Sequence, residues 1–351
     1  MTGALVFLAH RVGAGLATIL AIVTFTFVVF WATPTRPAAI VFPTVPHLTA
    51  WHDRQAARIL RIDRPKLDIY LGDIPRLFRW RFGHAWAASQ VPPLPFREPT
   101  INAEIDPALD RTLSLLLGGA AIVLVLAVPL GAFAGRRVGS IGDRTVSLVA
   151  LVGVCSHPMV IAVLVRSLFH GRLHWAPSSR YCPLIHSGAG CGGPADWAAH
   201  LALPWLTFAL LFLALYVRMV RASVAETLHE EYVRTARAKG ASELRVLARH
   251  VLPNAGLRIL TMIGMEIGTA IGVCIYVESA FGLGGLATDA VWHMSGSANL
   301  DLPIVLALVF VISVIVVVGN LAVDALYVFF DPRLALGGRP RTAKSAAGGV
   351  I

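Results

Sequence analysis

Apolar residues in this chain come in long runs separated by short charged segments. A helix needs about 20 consecutive apolar residues to cross the hydrocarbon core of a bilayer. Five uncharged runs reach that length: Val12–Thr35, Thr112–Gly135, Thr145–Val165, Trp197–Val217 and Leu302–Val323. A sixth, Ile259–Val277, is broken only by Glu266. The pattern predicts an all-α integral membrane protein of six transmembrane helices. Pro129, Pro158, Pro204 and Pro303 fall inside or at the edges of these runs, where membrane helices tolerate kinks if neighbours satisfy the freed backbone groups.

Charge orients the chain. Arg136, Arg137 and Arg144 follow the second run, and Arg218, Arg221, Arg234, Arg237, Lys239, Arg245, Arg249 and Arg258 follow the fourth. Short loops rich in Lys and Arg stay in the cytoplasm, so both termini are expected inside (N-in/C-in), with Arg333, Arg339, Arg341 and Lys344 in a cytoplasmic tail over residues 334–351. Ten basic residues in Pro34–Asp106 oppose this, but that segment is long and carries seven acidic residues, outside the range in which the charge rule operates. The expected organisation is a first span over 1–35, an extracytoplasmic insertion over 36–106, and a five-helix core over 107–333. Within the insertion, His52–Arg64 suggests a short amphipathic helix, and Ile69–Trp86 is rich in aromatic residues. These could form a cap over the bundle or rest at headgroup level. The uncharged stretch after Arg11 is too long for a signal peptide core and lacks a small-residue cleavage site, so it reads as a retained span.

Composition narrows the chemistry. The 351 residues are 56% hydrophobic and 14% charged, and the formal charge of +10 is spread between apolar runs, which argues against nucleic-acid binding. No G-x-x-x-x-G-K-[ST], H-E-x-x-H or G-x-S-x-G pattern occurs, so neither a nucleotide-binding loop nor an enzyme is indicated. The four cysteines show no paired zinc spacing; Cys182 and Cys191 share a short Pro/Gly-rich outer loop and are expected to form a disulfide. Among ionisable residues within the runs, Glu266, Asp324 and His157 stand out; Glu266, near mid-span, is the candidate for the wall of a translocation pathway, because such groups face a cavity or a partner.

The stretch Glu226–Pro253 reads as two short helices broken at Gly240-Ala241-Ser242 and ended at Leu252-Pro253. By composition it is a solvated anchor, but its spacing strongly resembles the EAA loop of bacterial ABC importer permeases: Ala236, Gly240, Leu252 and Pro253 stand at matching positions, with Arg234, Thr235 and His250 as departures. The variant Tyr232 to Gly240 looks like the peptide/nickel branch of that family. The segments Arg111–Leu115, Leu173–Pro177, Val277–Leu286 and Asn320–Pro332 are similar to other parts of it. The resemblance implies a permease subunit of the inner membrane, with a coupling loop over 222–256 in which Glu231, Tyr232, Arg234, Thr235, Ala236, Arg237, Ala238, Lys239 and Gly240 meet an ATPase chain. It further implies a second homologous permease, two ATPase subunits that carry the ATP and Mg, an extracytoplasmic substrate-binding protein, no cofactor or metal in this chain, and short peptides as cargo, with nickel chelates or glutathione-like compounds open. A proton-driven secondary transporter is the rival reading; it would need internal inverted repeats, and none is evident.

Overall fold

The computed structural model describes residues 2–32, 38, 41–42, 47–60, 62–86, 100–145, 148, 156–175, 181–184, 191, 193–294 and 301–330. These residues are helical almost throughout, in the order α1 Thr2–Ala32, α2 Ala50–Ile59, α3 Lys66–Phe78, α4 Ile101–Arg136, α5 Pro158–Val165, α6 Pro194–Thr227, α7 Glu231–Ala238, α8 Glu243–Phe281, α9 Leu286–Met294 and α10 Leu302–Phe330. Five of them, α1, α4, α6, α8 and α10, are long and apolar enough to cross a membrane. Part of the run Thr145–Val165 lies outside the described residues, as do the tail from residue 331 and part of the insertion; α5 covers the end of that run.

Small residues let the helices approach. Along α4, Gly119 faces Phe208, Gly131 faces Val220, and Gly135 faces Val224 of α6; a Cβ at Gly131 would come within 2.9 Å of the Val217 carbonyl oxygen. Glycine at i and i+4 brings backbones into van der Waals contact where lipid supplies no hydrophobic drive between helices. The pairs advance in the same direction on both helices, so α4 and α6 run parallel. Gly15 against Val317 and Arg11 beside Asp324 (3.4 Å) set α1 antiparallel to α10, and Gly264 near Val323 with Gly319 near Ile267 does the same for α8 and α10. One end of the bundle therefore gathers Arg11, Asp324, Arg136, Arg221 and the start of α8; the other gathers the end of α1 and the starts of α4 and α6.

Two expected boundaries move. The second span was expected from Thr112, yet α4 starts at Ile101, because Ile101, Ile105 and Ala108 are buried against the insertion and α10 side chains. The second helix of the Glu226–Pro253 stretch was expected to stop at Leu252-Pro253. Instead it runs unbroken into the span, forming one helix of 39 residues from Glu243 to Phe281. Proline removes a backbone donor and usually kinks a helix; here the turn Leu247–Val251 widens, with the Leu252 amide donating to the Leu247 carbonyl, and the chain passes Pro253 without breaking.

The far end of α8 is closed by a buried polar knot. Gly282 adopts φ +64° and its amide bonds back to the Glu278 carbonyl, a left-handed cap that suits glycine. Arg166 donates to the Ala280 carbonyl and Arg111 to that of Gly284 (2.7 Å). The Glu278 carboxylate, fully buried, accepts from the Thr112 hydroxyl (2.6 Å) and from both the amide (3.0 Å) and hydroxyl (3.1 Å) of Thr288. Thr112 in turn accepts from the Leu286 amide at 2.9 Å. The carboxylate thus serves the free amides at the start of α9, where the helix dipole also favours negative charge. A Cβ on Gly285 would meet the Glu278 Oε1 at 2.3 Å, so only glycine admits this closure.

The loop that precedes α6 docks nearby. Cys182 and Cys191 are joined by a disulfide, their Cα atoms 5.6 Å apart, and the neighbouring Tyr181 hydroxyl donates to Asp110 at 2.6 Å. Burial and the Asp110 carboxylate push the Tyr181 phenol up to about 12. Further along α9, His293 Nε2 lies 2.7 Å from Glu104 of α4.

Two outcomes follow for α9. Replacing Glu278 by Leu leaves the Thr288 and Thr112 donors buried without an acceptor, each at about 1–3 kcal/mol; amide exchange over residues 286–290 should quicken strongly in Glu278→Leu and little in Glu278→Gln. Equal exchange in Glu278→Leu and the native chain would show that the knot does not hold α9.

The second outcome concerns pH. His293 is raised above its ordinary 6.5 mainly by its bond to Glu104, with Asp289 and Asp301 adding. Asp289 is raised to about 6 by burial first, then by Glu104 and Glu278, opposed by His293 and Arg111. A raised His contributes fully below its unfolded value and loses its contribution as pH climbs through the higher folded value; a raised Asp loses stability between 3.8 and about 6. Both make α9 looser with rising pH. Exchange over 286–294, corrected for intrinsic chemistry, should increase from pH 6 to 8 more in the native chain than in Glu104→Gln; identical slopes would contradict the tether.

Candidate functional site

The basic stretch between α6 and α8 is held as a bent pair of helices. α7 opens at Glu230 and ends at Lys239. Its ending is a Schellman closure: the Gly240 amide donates to the Arg237 carbonyl (2.9 Å) and the Ala241 amide to that of Ala236 (3.2 Å). Gly240 sits at φ +80° with open space where a Cβ would be, so the demand for glycine is conformational and not one of room. Ser242 in extended conformation precedes the first turn of α8.

Side chains fasten the bend. Val233 and Val246 are fully buried in the core shared with α4, α6 and α8, and Ala236 and Ala241 pack against it. Arg237 makes a two-pronged pair with Glu243 across the turn, at 2.8 and 3.2 Å. Tyr232 receives a bond from Asn254 at 2.5 Å, and Arg258 grips Glu226 through both guanidinium nitrogens. Exposed ion pairs contribute little stability; their use here is to fix the angle between α7 and α8.

The remaining candidates face outward. Glu231, Arg234, Thr235, Ala238 and Lys239 are exposed, and Leu244 is 71% exposed beside them. Charged residues thus surround an uncovered leucine on one face of the bend. Arg237, one of the residues expected to meet an ATPase chain, also pairs with Glu243 within this chain.

Behind this face, Asp143 is buried and held by Arg221 (2.8 Å to Nη2) and by the Gly139 amide (2.8 Å). This ties the turn after α4 to the end of α6. Glu266 is half-buried at mid-α8, within electrostatic reach of Tyr216. It borders the uncovered α8 face formed by Thr261, Met265, Gly268, Thr269 and Gly272. Asp324 pairs with Arg11, and His157 caps α5 by accepting from the Met159 amide at 3.2 Å. Glu278 is not among the candidates that the sequence singles out, although an acid four residues before a Gly-rich break at the end of an apolar run is itself a signal.

A family model described as the binding-protein-dependent transport system inner membrane component matches residues 127–336. The chain is 35% identical over 329 residues to a Brucella ovis protein named "Putative peptide permease protein", covering 93% of this chain and 97% of that one. It is 30% identical to a Sinorhizobium fredii protein named "Probable peptide ABC transporter permease protein" (94% and 99% covered). It is 27% identical to the oligopeptide transport system permease protein AppB of Bacillus subtilis (93% and 98% covered). The matched region holds the bent helix pair, the whole of α8 and Glu278, while Thr112 and Arg111 of its closure lie before it. The chain belongs to the family of multi-pass inner-membrane permeases of binding-protein-dependent transport systems.

Proposed function

We propose that this permease forms half of the membrane pathway of an ATP-driven importer that takes short peptides from an extracytoplasmic binding protein. Two ATPase chains and a second permease complete it. One observation carries the reading: the helix that follows the Gly240 bend is the same 39-residue helix whose other end closes on Glu278. At 1.5 Å per residue it is about 58 Å long, enough to carry a displacement at the docking face to the opposite mouth as a rigid body.

Six spans, with both termini inside, account for the packing. Parallel α4 and α6 require the chain to cross back between them, and the apolar run Thr145–Val165 supplies the crossing. This leaves the α7–α8 bend at the cytoplasmic end with Arg11, Arg136 and Arg221. Peptide cargo is supported by the names of the relatives, and Glu266 is proposed to border the pathway.

Substituting Gly240 with Val forces a β-branched residue to positive φ, a strain of roughly 1–3 kcal/mol, and Arg237→Glu sets two carboxylates against each other across the bend. Both variants should reach the membrane at native levels yet retain less ATPase chain on purification, and hydrolysis stimulated by loaded binding protein should fall several-fold. Glu266→Gln should alter transport rate at unchanged assembly. Native stimulation in both Gly240→Val and Arg237→Glu would leave the bend an ordinary surface anchor.

A further inference from the structure

Helix α3 carries more apolar surface than its own chain covers. Ile69, Tyr70, Ile74 and Leu77 face the core of the insertion, while Leu67, Leu71 and Phe78 remain 65%, 58% and 45% exposed. At 3.6 residues per turn these three side chains fall within about 40° of one another, along one flank of the buried face. Asp68, Arg76 and Arg79 occupy the opposite side, and the Arg76 side chain is 70% exposed. The helix therefore has an apolar arc wider than its seat and a charged back.

The depth of α3 is set by what pins it. At its start, Lys66 lies over the Trp31 ring, 5.0 Å from the centroid, at the last turn of α1. Beyond its end, Trp80 Nε1 donates to Asp106 (3.0 Å) and Asn102 bonds the Trp80 carbonyl, both in the first turns of α4. Both anchors stand where a span leaves the membrane. Between them, the Tyr70 hydroxyl meets Thr24 at 2.6 Å, seven residues and roughly 10 Å below Trp31 along α1. Thr24 itself lines an open apolar groove of about 560 Å³ with Ala17, Leu20, Ala21, Phe25 and Val28, which is the lateral surface of a spanning helix. The Tyr70–Thr24 bond thus seats α3 beside a lateral surface of α1 that is open and apolar.

We propose that α3 lies in the lipid headgroup layer at the Trp31 end of α1, with Leu67, Leu71 and Phe78 against acyl chains and Lys66, Arg76 and Arg79 against lipid phosphates. An amphipathic helix with basic residues on its polar side takes this position in a membrane, and the long cationic stems let the charges reach the headgroups. The insertion is then anchored laterally in the bilayer instead of standing free above the bundle.

Cysteine placed at residue 71, in a full-length chain with Cys155 and Cys274 replaced by Ala, would be labelled with an environment-sensitive nitrobenzoxadiazole dye and reconstituted in phosphatidylcholine nanodiscs with its co-purifying subunits. The same label at Arg76→Cys reports the opposite face, and Leu67→Cys repeats the test should Leu71→Cys fold poorly. Lipid carrying a doxyl group near the headgroup should quench the dye at 71 at least twofold more than at 76, and aqueous iodide should show the reverse order. Iodide quenching at 71 equal to that at 76 would overturn the proposal. So would protection from both quenchers, which would mean that protein covers this flank.

Discussion

The structure turns on how α8 ends. Inside a membrane every backbone amide and carbonyl must be satisfied by the protein itself, so a spanning helix can stop only where something else takes its last hydrogen bonds. At one end the bend at Gly240 uses two backbone bonds and the Arg237–Glu243 pair. At the other, Gly282 turns the chain back while Arg166 and Arg111 take carbonyls and Glu278 takes the amides of α9. Between these closures the helix has no break, even at Pro253.

The same rule governs the charges. Buried Asp143 is bonded by Arg221 and the Gly139 amide, and Asp324 pairs with Arg11 across two spans. Among the described residues no cation pairs with buried Glu278, which is held by the Thr112 hydroxyl of α4 and by the Thr288 amide and hydroxyl in the first turn of α9. Removing one partner from such a group leaves an uncompensated charge or donor, which costs far more than the net value of the contact. These residues fasten the ends of the helices, while Glu266, without a comparable set of partners, sits beside the uncovered face of α8.

Much of this was readable in the sequence. Long apolar runs marked all five spanning helices, and the spacing from Gly240 to Pro253 marked the bent pair, because hydropathy and a positive-φ glycine leave local traces. What was not legible is what long-range packing decides. The wide turn at Leu247–Val251 that lets α8 pass Pro253 depends on tertiary support, and proline alone argues for a stop. The early start of α4 at Ile101 depends on burial against the insertion. Thr112 and Glu278 stand 166 residues apart; each was noticed in its own segment, but nothing local says that one hydroxyl and one carboxylate close a single knot.

A direct test of α8 as a rigid transmitter is the distance between spin labels at Leu244→Cys and Trp292→Cys, both at exposed positions, in the assembled transporter with Cys155 and Cys274 replaced by Ala. One label reports the proposed docking face and the other the helix locked to Glu278. A single narrow distribution with the same mean in the absence and presence of ATP is the predicted result. A mean that shifts with ATP, or a second population appearing with it, would show that α8 bends or that α9 detaches, and would contradict rigid-body coupling along this helix.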